Sequence, residues 1–137
     1  IDKKANITGS GKANVLKKTI FTDNQSSEEE LPIEKGEKFC LELKLKVNTE
    51  IKKYIINFII YDMEMKGLLE FSSLDDGLVF INNGEPSTYK IELENILNTG
   101  DYSILLHVLE FVEDNRMGNI CLRYENFFKF KSKCFKF

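Results

Sequence analysis

The groups in this chain with chemistry to offer are one histidine, three cysteines and 22 acidic residues. A single histidine, His107, excludes a His-rich zinc site and a two-histidine proton relay. A cysteine nucleophile served by His107 is formally open, but Cys40, Cys121 and Cys134 stand in no motif that would lower a thiol pKa. Asp75-Asp76 and Glu28-Glu29-Glu30 look like paired carboxylates, yet both lie in polar, turn-like stretches where acids are ordinarily solvated. Asp75-Asp76-Gly77 also lacks the alternating ligands and closing Glu of a calcium loop. Gly9-Ser10-Gly11-Lys12-Ala13 imitates the tail of a phosphate-binding loop, but Asn6 stands where the first Gly belongs and Ala13 where a magnesium-binding Ser or Thr belongs. No catalytic residue, metal or cofactor is expected, and the domain is expected not to be an enzyme.

The elements that would position any site repeat with a period of two. Phe39, Leu41, Leu43, Leu45 and Val47 alternate with Cys40, Glu42, Lys44 and Lys46, which puts five apolar side chains on one face of a strand. Further strands are predicted over Val15–Thr22, Tyr54–Asp62, Met63–Ser73, Leu78–Asn82, around Tyr89–Leu93, and over Tyr102–Phe111 and Gly118–Phe130. Pro32–Glu37 reads as a turn, Glu113–Gly118 as another, and Leu93–Leu97 carries the one helical hint. About eight short strands with turn signals at regular spacing predict an all-β, antiparallel immunoglobulin-like or jelly-roll sandwich. Tyr102, just after the Gly100 turn, has the placement of a tyrosine corner.

Composition fits one domain over residues 1–137, with 42% apolar and 30% charged residues. The net charge of −3 argues against holding nucleic acid by phosphate neutralisation. Residues 128–137 carry four lysines and no acid, so residues 1–127 carry −7. An odd cysteine count without CxxC spacing predicts reduced thiols and a cytoplasmic setting, and the sequons at Asn6 and Asn24 read as background. No apolar run is long enough to span a bilayer, and no leader precedes the first strand. An initial Ile in place of Met suggests an excised or processed chain.

The order of these signals resembles the C-terminal domain of Wzt-type ATP-binding subunits of polysaccharide ABC transporters. The resemblance rests on several pieces in order: Gly9–Ala13 before the first strand, Thr22–Asn24 at its end, and Gly36-Glu37 before the alternating strand Phe39–Val47. Phe58–Asp62 with Gly67, the Leu97, Gly100 and Tyr102 signature, and the terminal aromatics Phe128 and Phe130 complete it. It implies a non-catalytic β-sandwich that binds a finished cell-surface polysaccharide, such as O-antigen, for export. It also implies a homodimer and a position on the cytoplasmic side of the membrane, peripheral to the transporter's ATPase and permease. The chain departs from many sugar binders in having no Trp. Related modules are also appended to glycosyltransferases, so that parent stays open.

Strand parity proposes where a glycan would lie. Tyr54, Ile56, Phe58 and Ile60 should face the core, leaving Ile55, Asn57, Ile59 and Tyr61 outward. Ile104, Leu106 and Val108 should point in, with Ser103, Leu105, His107 and Leu109 outward. Ile120 and Leu122 take the inward parity and Cys121 and Arg123 the outward one. In an immunoglobulin-like order these strands are neighbours, which gathers Asn57, Tyr61, His107 and Arg123 into a candidate carbohydrate-binding face among exposed apolar residues. A structural or protein-interaction sandwich, covering that face with another chain, is the alternative. The Lys–Phe tail over 127–137 is expected to be exchanged between two subunits.

Overall fold

The structure, a computed structural model, describes residues 6–113 and 116–134. Its strands are β1 (Ile7–Thr8), β2 (Ala13–Phe21), β3 (Ser26–Ser27), β4 (Glu30–Glu34), β5 (Lys38–Val47) and β6 (Lys53–Asp62). They continue as β7 (Gly67–Ser72), β8 (Phe80–Ile81), β9 (Ser87–Glu94), β10 (Gly100–Val112) and β11 (Arg116–Lys133). The larger sheet runs β1–β11–β10–β6–β7, with β4 beside β11 and β8 beside β6; the smaller runs β3–β2–β5–β9. The protein is an all-β sandwich, and β6, β10 and β11 are neighbours as the immunoglobulin-like order requires.

β5 shows why these residues make strands. Its five alternating apolar side chains are all buried, while Lys44 and Lys46 on the other face are exposed. Phe39 meets Phe130 of the opposite sheet with ring centroids 5.5 Å apart. Ile104, Leu106 and Val108 on β10 are fully buried in the same core, each such side chain contributing about 1.5–3 kcal/mol of transfer free energy. At the start of β10, Tyr102 Oη donates to the Asn98 carbonyl at 2.8 Å, the geometry of a tyrosine corner.

Two expectations are corrected. The Pro32–Glu37 turn begins later, because Glu30–Glu34 pairs in parallel with Lys129–Lys133; the other pairings are antiparallel. Pro32 is tolerated there because β4 is an edge strand. Leu93–Leu97 is not helical. Leu93 belongs to β9, and the buried Asn95 side chain donates to the Ile33 carbonyl at 3.2 Å and to Ser132 Oγ at 2.8 Å. The helical turn among the described residues is a 3-10 turn at Ser73–Asp76. Residues 114–115 of the Glu113–Gly118 turn, and Phe135, Lys136 and Phe137 of the tail, lie outside the described residues.

The Gly9–Ala13 segment is a strap between the sheets. Gly9 has φ 102°, and a Cβ there would lie 2.8 Å from the Ile120 carbonyl oxygen, so only glycine fits. Ser10 N–H donates to that same carbonyl, and Lys12 Nζ pairs with Glu50 at 2.8 Å. These bonds occupy the groups a phosphate would need.

The two long edges of the sandwich differ. On the β2 side, Lys18 reaches inward, its Nζ donating to the Phe127 carbonyl and lying 4.7 Å from the centroid of Phe128. On the other side, β7 and β9 are free edges with a cleft between them.

Candidate functional site

Register brings three of the four proposed residues into one row. His107 on β10 stands opposite Asn57 on β6 and opposite Arg123 on β11, and Ser72 on β7 extends the row beyond Asn57. Tyr61 lies on the same face one row-pair away, opposite Ser103. Gly67 of β7 lies beside it, close enough that a Cβ there would be in van der Waals contact with Tyr61 Cε1 at 3.4 Å and Ile59 Cγ2 at 3.7 Å. Tyr61, His107 and Arg123 are half-exposed on the sheet's outer face, with Asn57 buried beside them.

The polar row is tightly specified at one end and incomplete at the other. Arg123 Nη1 donates to His107 Nε2 at 3.1 Å, and its Nε donates to Glu125 at 3.3 Å. Because a guanidinium only donates, His107 accepts through Nε2 and holds its proton on Nδ1. Burial first, and the Arg123 charge second, depress the His107 pKa against an opposing pull from Glu70. The imidazole is therefore neutral near neutral pH. Asn57 is only 7% exposed, and its Oδ1 has no hydrogen-bond partner. A buried acceptor left unmade costs about 1–3 kcal/mol, which makes Asn57 the one orphaned buried side-chain atom among the described residues.

Two parity expectations on this face fail. Ile55, Asn57 and Leu105, expected outside, are 2%, 7% and 3% exposed, although none of them belongs to the hydrophobic cluster between the sheets. They sit on β6 and β10, inner strands paired along both flanks. Cys121 is fully buried and Ile120 is 47% exposed, the reverse of the expected parity. The cause is a bulge: β10 pairs Val108 with Leu122 but Leu109 with Ile120, so Cys121 is the extra residue and turns into the core. The apolar part of the surface is accordingly smaller than predicted and centres on Ile59, Leu109 and Ile120.

Burial raises the Cys121 pKa to about 11. All three cysteines are free thiols. Among the described residues no group of three His, Cys, Asp or Glu side chains is placed to hold a metal, and no helix is long and apolar enough to cross a membrane. Asp75 and Asp76 are exposed on the 3-10 turn.

Sequence reasoning missed the cleft between the free edges of β7 and β9. It has a volume of about 470 Å³. Phe80 and Tyr89 form its floor with ring centroids 4.6 Å apart, the Tyr89 hydroxyl bonds that of Tyr54, and Asp75, Asp76, Glu92 and Glu94 stand around the rim. The alternation of Tyr89, Ile91 and Leu93 signals an inward face, but which strands are edges is set by topology.

Comparisons with known proteins follow the same lines. No curated protein matches the chain. A solved structure described as the crystal structure of the C-terminal domain of Wzt superposes with a TM-score of 0.75 at 13% identity, covering 95% of this chain and 78% of that one. At that identity the likeness speaks for the fold alone. The family profile described as the Wzt C-terminal domain matches residues 4–133. That match takes in nearly the whole sequence, through the end of β11, and the chain belongs to the Wzt C-terminal domain family.

Proposed function

We propose that this domain is a non-catalytic carbohydrate-binding module that captures a cell-surface polysaccharide, of the O-antigen kind, on the outer face of its larger sheet. Family membership supports an ABC-transporter-associated role. The observation that carries the binding reading is the Arg123–His107 hydrogen bond, which holds a guanidinium and a neutral imidazole, both half-exposed, on the same sheet face as Ile59 and Tyr61. A sugar hydroxyl is a donor and an acceptor at once, so hydroxyls of a bound glycan meet the half-exposed Arg123 and His107, while Ile59 and, further along the strand, Tyr61 take C–H faces of its rings. The same reading includes a homodimer at the cytoplasmic side of the membrane, peripheral to the transporter.

The test is calorimetric titration of the domain with the source organism's own purified surface polysaccharide. Arg123→Ala and Tyr61→Ala should each weaken binding about tenfold while the fold stays intact. Unchanged affinity in both variants rejects the placement.

The β7–β9 cleft favours a second reading, a structural or protein-interaction sandwich, since free strand edges accept an extended partner. In that case the polysaccharide fails to bind while a protein partner co-purifies. A module appended to a glycosyltransferase differs only in what the parent chain carries.

A further inference from the structure

Among the described residues two non-glycine residues have left-handed backbone, Met65 at φ 63° and Asn126 at φ 52°. They come from different elements, the β6–β7 turn and β11, yet both line the same hollow of about 390 Å³. Such conformations are held against their intrinsic preference and gather at sites that bind.

Asn126 owes its position to an irregularity in β11. Ile104 pairs with Phe128 and Leu106 with Tyr124, so three residues, Glu125 to Phe127, oppose the single Leu105. A bulge of this kind re-aims a side chain. Here it sets Asn126 Oδ1 to accept from Ser103 Oγ at 2.7 Å, leaving the NH2 side of the amide as the donor end. Met63 and Met65, 71% and 68% exposed, supply polarisable apolar surface beside it. The charged lining mixes carboxylates (Glu30, Asp62, Asp101) with ammoniums (Lys129, Lys131), so the hollow offers acceptors and donors of both signs and suits hydroxyl groups better than a simple ion.

The hollow is continuous with the proposed glycan face. Ser103 lines it and stands opposite Tyr61, and His107 lies four residues further along β10 on the same side, about 13 Å away. That span exceeds one pyranose ring, with Tyr61 at its Ser103 end and Ile59 between the two ends.

We propose that this hollow is a second sugar subsite, which binds a neighbouring residue of the same neutral glycan chain so that the domain reads a run of linked sugars across β10. This rests on the carbohydrate-binding reading of the Asn57–His107–Arg123 row. Asn126 and Met63 hold the second sugar, the amide by donating to a hydroxyl and the thioether by packing on a ring face.

The experiment titrates single-repeat and multi-repeat fragments of the source organism's surface polysaccharide, made by partial acid hydrolysis, into wild type and into the double variant Asn126→Gly, Met63→Ala. Glycine adopts φ 52° without strain, so the variant should melt no lower than wild type. Wild type should bind the longer fragments about tenfold more tightly than the single repeat, and the variant should lose that gain while binding the single repeat normally. Equal affinity of wild type for both lengths, or an undiminished gain in the variant, overturns the second subsite and leaves the first intact. Absence of binding of any fragment to wild type overturns the carbohydrate reading, and this inference with it.

Discussion

The guanidinium of Arg123 fixes the tautomer of His107: it donates Nη1 to Nε2 at 3.1 Å, so the imidazole proton resides on Nδ1, on a ring opposite the unpartnered amide of Asn57. A charge, a neutral ring and a buried acceptor thus stand side by side on three strands, and each predicts something measurable.

The first prediction concerns acid. The folded-state pKa of His107 lies below the ordinary 6.5, so the unfolded chain binds the proton first as pH falls. Stability is unaffected above the unfolded value and is lost as pH drops from about 6.5 towards the depressed folded value. His107→Gln removes that contribution, and melting temperatures at pH 7.5 and pH 5 should differ less in the variant than in wild type. An equal drop in both shows that carboxylates alone set the acid limit.

Asn57→Leu should separate stability from binding. Removing an unpartnered buried acceptor in favour of an apolar side chain of similar size should stabilise the fold by about 1 kcal/mol and raise the melting temperature by a few degrees. Polysaccharide binding should be little changed, because the Asn57 amide oxygen is shut off from the surface where the sugar lies. A lower melting temperature means that Asn57 is satisfied in solution.

Tyr102→Phe addresses the corner at the other end of β10. Losing the bond to the Asn98 carbonyl should cost about 1 kcal/mol, seen as a lower midpoint in urea at unchanged slope. Affinity for a single-repeat fragment should not move, because Tyr102 belongs to the core cluster and lies outside the His107–Arg123 row.

Lys18→Ala should destabilise more than an ordinary surface truncation. Its stem is buried and its ammonium caps Phe127 and Phe128 while bonding the Phe127 carbonyl. A loss of about 2 kcal/mol by urea unfolding is expected; a change within about 0.5 kcal/mol shows the closed edge is held by the strands alone.

Where local pattern decides, the sequence was legible. The alternation of Phe39–Val47 survives intact because β5 is central in its sheet and paired regularly with β9. The row of Asn57, His107 and Arg123 came from parity and strand order, both of which hold there. Cys121 and Ile120 exchanged places because a bulge shifts parity by one residue and leaves no mark in composition. β4 was hidden behind Pro32 and Gly36, which signal a turn locally, whereas its partner strand is almost a hundred positions away. Ile55 and Leu105, which alternation assigns to the outer face, are buried on inner strands paired along both flanks, a placement that topology sets and local pattern does not reveal. The hollow around Asn126 combines a bulge with a distant turn, and neither alone announces a site.

The placement of β11 bears on how two copies could trade it. Over Lys129–Ser132 this strand is zipped on both flanks, to Gly100–Ser103 of β10 and to Glu30–Ile33 of β4. Releasing it from a finished subunit means opening two ladders together and uncovering Phe130. Any intertwining must therefore be settled while the chains first fold, and single subunits, once made, should remain single through long storage until a denaturant lets them begin again.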